Sequence, residues 1–222
     1  ARKRGRRAAG PSAVVSADAN GGLMPIEYER KIILKDAGRL REALLAAGLR
    51  PMAFEQFYLN DHARFRRVRA DDGTVRYLFT YKQAIGGKLL ELENEISGED
   101  YGLAREGAIS SLRKERFVLE GEDGNRWEVD FILDSDGGIR FGLAEVELEE
   151  WAPWAIPVAL EPYVDVVVPH GDNALFSNVG LADAAYASDV VRLYRETIGS
   201  NPSGEGSESG LRGARRIVIG IR

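Results

Sequence analysis

Cysteine is absent from the 222-residue chain, and histidine occurs only at His62 and His170. The first absence excludes disulfide bonds and thiolate metal sites. The scarcity of histidine leaves little imidazole for metal binding. A divalent metal bound by this chain would therefore need carboxylate oxygens, which suit Mg²⁺ or Mn²⁺.

Long apolar runs are also missing. No run approaches the roughly 18 residues that a membrane-spanning helix needs. The basic start is followed by small residues rather than by the apolar core of a signal peptide. We therefore expect a cytoplasmic protein with no membrane partner, and the length favours one well-buried domain.

The net charge of −5 is unevenly distributed along the chain. Both ends are basic, so the part between them carries the acidic excess. An acidic domain is a poor partner for nucleic acid, and none is expected for it. Local clusters of basic residues can still hold a small polyanion when divalent cations bridge the remaining acids.

Three stretches differ in composition. Residues 1–24 are basic and then rich in small residues, and residues 199–222 begin with a Gly/Ser-rich run. Such segments cannot bury a core, so the first is predicted to be a disordered basic tail and the second a flexible tail. The basic tail is a candidate binder of polyphosphate or nucleic acid, and Met24 is a candidate start of the protein. Residues 25–198 are predicted to form the single folded domain.

Short strands separated by turn residues dominate the folded part. Asp72-Gly73, Gly121 to Gly124 and Asp136-Gly137-Gly138 are typical of hairpin turns with positive φ. The predicted strands are 26–34, 56–59, 63–70, 74–82, 88–96, 111–120, 125–133 and 139–149. Three helices are predicted: one capped by Asp36 and ended by Gly48, one opened by Ser97 with Asp100 and ending near Gly107, and one over 181–197. The fold class is therefore α+β, mainly antiparallel β.

The polar faces of these strands carry rows of one charge sign at a period of two. Glu91 and Glu93 share a face opposite Leu90 and Leu92, for example. Like charges in such rows repel one another unless something neutralises them. A solvated surface explains any single row, but the repetition across one small domain favours a shared interior.

If these faces line the inside of a closed barrel, acidic and basic strands converge on one interior. Such an interior suits a ligand with many negative oxygens together with divalent cations. A triphosphate with Mg²⁺ fits this description. An interior lined by paired charges does not suit an apolar ligand, so a generic β-barrel ligand carrier is disfavoured.

The order of the motifs resembles the CYTH superfamily, also called triphosphate tunnel metalloenzymes. The opening run Glu27-Tyr28-Glu29-Arg30-Lys31 is similar to the Glu-x-Glu-x-Lys motif of that family. The motifs that follow in the family's order are Gln56-Phe57-Tyr58, Arg64-Phe65-Arg66, Thr80-Tyr81-Lys82, Glu91-Leu92-Glu93, Lys114-Glu115-Arg116, Trp127-Glu128-Val129-Asp130 and Glu145-Val146-Glu147. The resemblance covers 26–198 and implies a closed eight-stranded antiparallel β-tunnel with a few flanking helices.

The resemblance also implies roles for particular residues. Glu91 and Glu93 would hold a second metal or the attacking water, and Asp130 would orient a basic side chain. Lys31, Glu29 and Glu93 are the expected catalytic residues, and the expected cofactor is Mg²⁺ or Mn²⁺. The implied metal-side carboxylates are Glu27, Glu29, Glu145 and Glu147, and the implied phosphate-binding cations are Lys31, Arg64, Arg66, Lys82, Lys114 and Arg116.

The function that the resemblance implies is metal-dependent hydrolysis of a triphosphate-containing small molecule, foremost inorganic triphosphate to diphosphate and phosphate. A class IV adenylate cyclase and a thiamine or nucleoside triphosphatase remain alternatives, because this scaffold hosts all of them. A polyphosphate- or nucleotide-binding module without turnover is an alternative of another class. The protein is expected to be a monomer or a homodimer.

Overall fold

The computed structural model describes residues 28–85, 88–149 and 152–198. The predicted tails, 1–24 and 199–222, lie outside these residues. The described strands are β1 (Tyr28–Leu34), β2 (Met52–Tyr58), β3 (Ala63–Arg69), β4 (Val75–Ile85), β5 (Lys88–Glu95), β6 (Ser110–Glu120), β7 (Arg126–Leu133), β8 (Ile139–Leu148) and β9 (Val164–Val168). The described helices are α1 (Ala37–Ala46), α2 (Gly98–Arg105), α3 (Asn178–Leu181) and α4 (Ala184–Ile198), with 3₁₀ helices at Glu161–Tyr163 and His170–Phe176.

All nine strands join one antiparallel sheet in the order β5-β4-β3-β2-β6-β7-β8-β1-β9. The predicted hairpin turns are confirmed, since Gly73, Gly124 and Gly137 have φ of +85°, +80° and +92°. Positive φ costs glycine little, because it has no Cβ. The prediction of an α+β fold with a mainly antiparallel sheet is therefore confirmed.

The prediction of a closed eight-stranded tunnel is wrong in two respects. A ninth strand, β9, pairs with β1 and places Val168 opposite Lys31. Because β8 occupies the other edge of β1, no edge of β1 is left for the pairing with β5 that would close eight strands. In the described part of the chain the sheet is open by hydrogen bonding, with β5 and β9 at its edges. The β-branched run of β9 carried a strand signal that the prediction did not use.

One face of the sheet, here called the charged face, changes from ionic to apolar along its strands. An apolar side chain lies on the same face two residues before or after each of the ionic residues Lys31, Lys114, Asp130 and Glu145. Those apolar side chains, Ile33, Leu112, Ile132 and Leu143, pack against β9, Phe176 and α4. The helix thus covers one end of the charged face and leaves the ionic part beside it.

The opposite face carries the second part of the core. Leu40 and Leu44 of α1 pack there against a cluster that includes Phe117, Trp127 and Phe131. All five side chains are at most 3% exposed. Burial on both faces makes the sheet a rigid support for the ionic side chains.

The helix boundaries bear out most of the capping predictions. The Ser97 hydroxyl accepts a hydrogen bond of 3.0 Å from the backbone N–H of Asp100, and Gly48 has φ +88° just after α1. Asp36 precedes α1 as predicted, but it has φ 49° and forms no side-chain capping hydrogen bond. None of the described helices is long and apolar enough to cross a membrane.

Candidate functional site

Lys31 lies between two carboxylates on the charged face. Its Nζ is 2.6 Å from Glu145 Oε1 and 2.9 Å from Glu29 Oε2, and the residue is 4% exposed. Burial alone would lower the pKa of Lys31, but Glu145 and Glu29 outweigh it and raise that pKa above its ordinary value. Lys31 therefore remains a buried positive charge at the junction of β1 and β8.

A second ionic group centres on Asp130 of β7. Arg116 donates from Nε to Asp130 Oδ1 at 2.6 Å and from Nη2 to Oδ2 at 2.6 Å, a bidentate arrangement that fixes the guanidinium. Lys114 donates to the same carboxylate. Arg116 also pairs with Glu128, and its Nη2 is 3.8 Å from Glu145 Oε2. This last contact joins the Asp130 group to the Lys31 group.

In the Asp130 group, burial dominates the pKa shift of Lys114, whereas neighbouring charges dominate the pKa shift of Asp130. Burial lowers the pKa of Lys114 to about 8, even though Asp130 opposes the shift. Burial would raise the pKa of Asp130, but Lys114 and Arg116 outweigh it and hold that pKa below its usual range. Asp130 thus stays ionised and orients both basic side chains, as the sequence led us to expect.

A third ionic group lies on β3, β4 and β5. Arg66 Nη2 pairs with Glu93, and the Thr80 hydroxyl donates to Glu93 Oε2 at 2.9 Å. Between β4 and β5, Lys82 Nζ is also 3.0 Å from Glu91 Oε2. Glu91 and Glu93 are therefore held by cations in this structure.

Among the described residues of the charged face, Arg64 and Arg66 each carry a side-chain donor without an acceptor. The Nε atoms of both are buried without a hydrogen-bond partner. Arg64 forms a side-chain hydrogen bond with the buried Tyr58 and, within the described ranges, has no ion-pair partner. Burial lowers the pKa of Arg66 to about 10, and the neighbouring Arg64 and Arg116 act in the same direction. The two arginines thus form a positive site with open donors.

Cross-strand register places most of the sequence-predicted residues on this one face. Glu29 is opposite Glu147, and Lys31 is opposite Glu145. Thr80 is opposite both Arg64 and Glu93, and Lys82 is opposite Glu91. Of the predicted set, Glu27 lies outside the described residues. The remainder that share the face are Glu29, Lys31, Arg64, Arg66, Lys82, Glu91, Glu93, Lys114, Arg116, Glu145 and Glu147.

Three further residues belong to these groups and were not among the predicted site residues. Glu128 binds Arg116, and Thr80 binds Glu93. Both lie an even number of residues from a residue of the charged face on the same strand, so alternation could have identified them. Asn178, at the start of α3, accepts a hydrogen bond of 3.2 Å from Lys114 Nζ. No strand periodicity marks this residue, because it reaches the site from a helix 64 residues further along the chain.

The carboxylates on β1 and β8 fit Mg²⁺ or Mn²⁺ by their donor chemistry. Glu29 and Glu147 are direct cross-strand partners of like charge, an arrangement that a cation would relieve. No group of three metal-binding side chains gathers among the residues described here. Mg²⁺ commonly takes one or two protein carboxylates and completes its shell with water and substrate phosphate oxygens. A cation at these carboxylates would therefore need further ligands from water or from a bound anion.

The chain matches no family model and no curated protein. Among solved structures it is similar to an inorganic triphosphatase, with 20% identity over 72% of this chain and 97% of that one and a TM-score of 0.45. It is similar to a protein from Pyrococcus horikoshii OT3, with 20% identity, coverage of 56% and 79%, and a TM-score of 0.39. A protein from Hippeastrum, described as having a dominant triphosphatase activity, matches with 16% identity, coverage of 56% and 80%, and a TM-score of 0.36.

Proposed function

We propose that the protein hydrolyses triphosphate compounds in a metal-dependent reaction, and that inorganic triphosphate, cleaved to diphosphate and phosphate, is the foremost substrate. The observation that carries this proposal is the pair of buried, unpartnered Nε donors on Arg64 and Arg66. Leaving a buried donor without an acceptor costs about 1–3 kcal/mol. An anion with several oxygens would recover that cost, because guanidinium groups bind phosphate oxygens in forked geometry.

The remaining charges suit the transfer of a phosphoryl group. Such transfer depends on neutralising the oxygens and holding the nucleophile in line. Arg64, Arg66 and Lys82 would bind the phosphoryl oxygens, together with the cations of the Asp130 group. Glu93, which Arg66 and Thr80 hold in place, would orient the attacking water.

Mg²⁺ or Mn²⁺, bound by one or two of the carboxylates Glu29, Glu145 and Glu147 together with phosphate oxygens, would supply further neutralisation of the substrate's charge. Lys31 keeps these carboxylates together, since it contacts two of them directly. Its raised pKa keeps it cationic at neutral pH, so it balances their charge and contributes to binding the polyanion.

The test is phosphate release from inorganic triphosphate, ATP and thiamine triphosphate, measured with Mg²⁺ and with Mn²⁺. We expect metal-dependent release from inorganic triphosphate that is lost in Glu29→Ala. Loss of one preorganised donor typically lowers kcat by about 10²- to 10³-fold, so Arg64→Gln should fall in that range. Arg192→Gln, a change on α4 at an arginine whose side chain is 55% exposed, is the matched control and should keep full activity.

Other outcomes identify the alternatives. Formation of cyclic AMP from ATP would favour a class IV adenylate cyclase. Preferential cleavage of ATP or thiamine triphosphate would instead indicate a nucleoside or thiamine triphosphatase. Tight calorimetric binding of triphosphate without hydrolysis would favour the binding module. If triphosphate neither binds nor is cleaved, the proposal is wrong.

A further inference from the structure

A cavity of about 460 Å³ lies between α2 and the turn that joins β7 to β8. The strand residues Phe57, Ser111 and Arg113 line it, and each alternates with a residue of the charged face. Their side chains therefore lie on the opposite face of the sheet. The cavity also borders Gln56 and Leu112, which alternate with these residues, but none of the ionic residues described above lines it.

The base of this cavity is apolar and well packed. Phe57 and Tyr101 are 2% and 5% exposed, and their ring centroids are 5.1 Å apart. The Tyr101 hydroxyl donates a hydrogen bond of 3.3 Å to the backbone carbonyl of Glu55, which fixes the ring over β2. Leu133 adds an aliphatic wall. Phe57 and Tyr101 therefore form a rigid floor, and the less buried Leu133 offers apolar contact to a bound group.

The polar lining has an excess of positive charge. Arg105 and Arg140 line the cavity, and their guanidinium groups form no hydrogen bond or ion pair with other described residues. Arg113 donates from Nη2 to the backbone carbonyls of Asp134 and Ser135, which leaves its charge unneutralised. Of the two carboxylates in the lining, Glu55 is already paired with Arg67 at 3.2 Å. Three arginines in the lining therefore face one remaining carboxylate, Asp134, whose side chain is hydrogen-bonded to that of Asp136.

We propose that this cavity binds a small organic anion. Its apolar body packs against Leu133, above the floor formed by Phe57 and Tyr101, and its phosphate or carboxylate is bound by Arg105 and Arg140. The volume falls in the range of roughly 300–1,000 Å³ that is usual for small-molecule sites. Arginine suits either acidic group, because its planar fork matches both geometries. The inference is independent of the proposed triphosphatase activity, because no residue of the charged face is needed for it.

Isothermal titration calorimetry with phenyl phosphate, benzoate and inorganic phosphate tests the site. The titrations use Arg64→Gln/Arg66→Gln protein, so that binding of phosphate to the charged face is weakened. We expect phenyl phosphate or benzoate to bind this protein, and inorganic phosphate to bind it more weakly because it lacks the apolar body. Adding Arg105→Gln/Arg140→Gln should weaken binding by at least about tenfold, as expected when charged hydrogen-bond partners are removed. The stronger of the two aromatic probes identifies the acidic group.

The control changes two arginines elsewhere, Arg76→Gln/Arg126→Gln, whose side chains are 58% and 65% exposed. It should leave binding unchanged. Thermal unfolding of each variant checks that the fold is intact, and Arg113 is left in place because it holds the turn. The proposal is overturned if neither aromatic probe binds, if binding survives Arg105→Gln/Arg140→Gln, or if inorganic phosphate binds as tightly as the aromatic probes.

Discussion

Lys114 shows how one buried side chain can connect the sheet to the C-terminal helices. It is 3% exposed, donates to Asp130, and reaches Asn178 at the start of α3. Its Nζ also lies 5.5 Å from the ring centroid of Phe54, a cation–π distance. Since Asp130 also fixes Arg116, the charge on Lys114 bears on the position of a proposed phosphate-binding residue.

The lowered pKa of Lys114 predicts a loss of activity in mild alkali. Burial lowers this pKa from 10.5 to about 8, so the side chain is charged below that pH and neutral above it. The proposed phosphate release should therefore show kcat/KM falling as the pH rises through about 8, because kcat/KM reports on groups of the free enzyme.

The control for this prediction is Lys114→Met, which removes the titrating group. Its activity should be low at all pH values, and its profile should lack the alkaline limb. The effect on stability has the opposite sign. Lysine in the unfolded chain keeps its proton up to about pH 10.5. The free energy of unfolding should therefore increase as the pH rises from the folded pKa to the unfolded pKa. A wild-type kcat/KM that stays constant through this range would contradict the assignment.

At the scale of elements, α4 and the 3₁₀ helix His170–Phe176 cover the apolar end of the charged face. Phe176 is fully buried and meets Tyr194 edge to face, with ring centroids 5.0 Å apart. Asn173 ties the same 3₁₀ helix to β1, because its Nδ2 donates to the backbone carbonyl of Glu29. These contacts hold the C-terminal elements directly beside the proposed site.

Removing the Phe176 side chain should therefore destabilise the whole domain. Phe176→Ala deletes a buried aromatic ring, a change that typically costs about 3–5 kcal/mol. Leu103→Ala, at a residue that is 70% exposed, is the matched control and should change stability by less than about 0.5 kcal/mol. Urea unfolding measures both. A similar small effect in the two variants would show that the C-terminal elements do not support the core.

At the scale of the whole molecule, the charged face gathers acids and bases from strands across most of the sheet. Neighbouring cations on β3 and β6 affect one another, since Arg116 contributes to the lowered pKa of Arg66. A polyanion bound there would reduce repulsion within a sheet whose outer edges, as far as the chain is described, are not hydrogen-bonded to each other. Binding should consequently stabilise the folded state as a unit.

Inorganic triphosphate should accordingly raise the melting temperature in the absence of added metal, where no turnover is expected. A ligand that binds only the folded state at 100 times its Kd adds about 2.7 kcal/mol of stability. The shift should shrink as NaCl is added, because the Debye length is only about 10 Å at 0.1 M salt. It should be absent in Arg64→Gln/Arg66→Gln, and scanning calorimetry would measure both effects. An equal shift in this variant would place the anion elsewhere.

Local patterns were enough to predict much of this protein. Alternation with a period of two identified the charged face and placed Lys31, Arg66 and Glu145 on it, because neighbouring side chains of a strand must point to opposite faces. Gly73 and Gly137 predicted their turns, since positive φ is costly for other residues. The orienting role of Asp130 came from the family resemblance rather than from a local pattern, and its contacts with Lys114 and Arg116 agree with it.

Only the tertiary structure decided which strand edges pair and which charged side chains form ion pairs. Strand patterns do not state which edges meet, so the pairing of β9 with β1 and the open edge of β5 lay beyond them. The contact of Asn178 with Lys114, and the free donors of Arg64 and Arg66, depend on residues that are distant in sequence. A sequence determines the periodicity of each element through local sterics, whereas partners across the sheet are selected by packing of the whole chain.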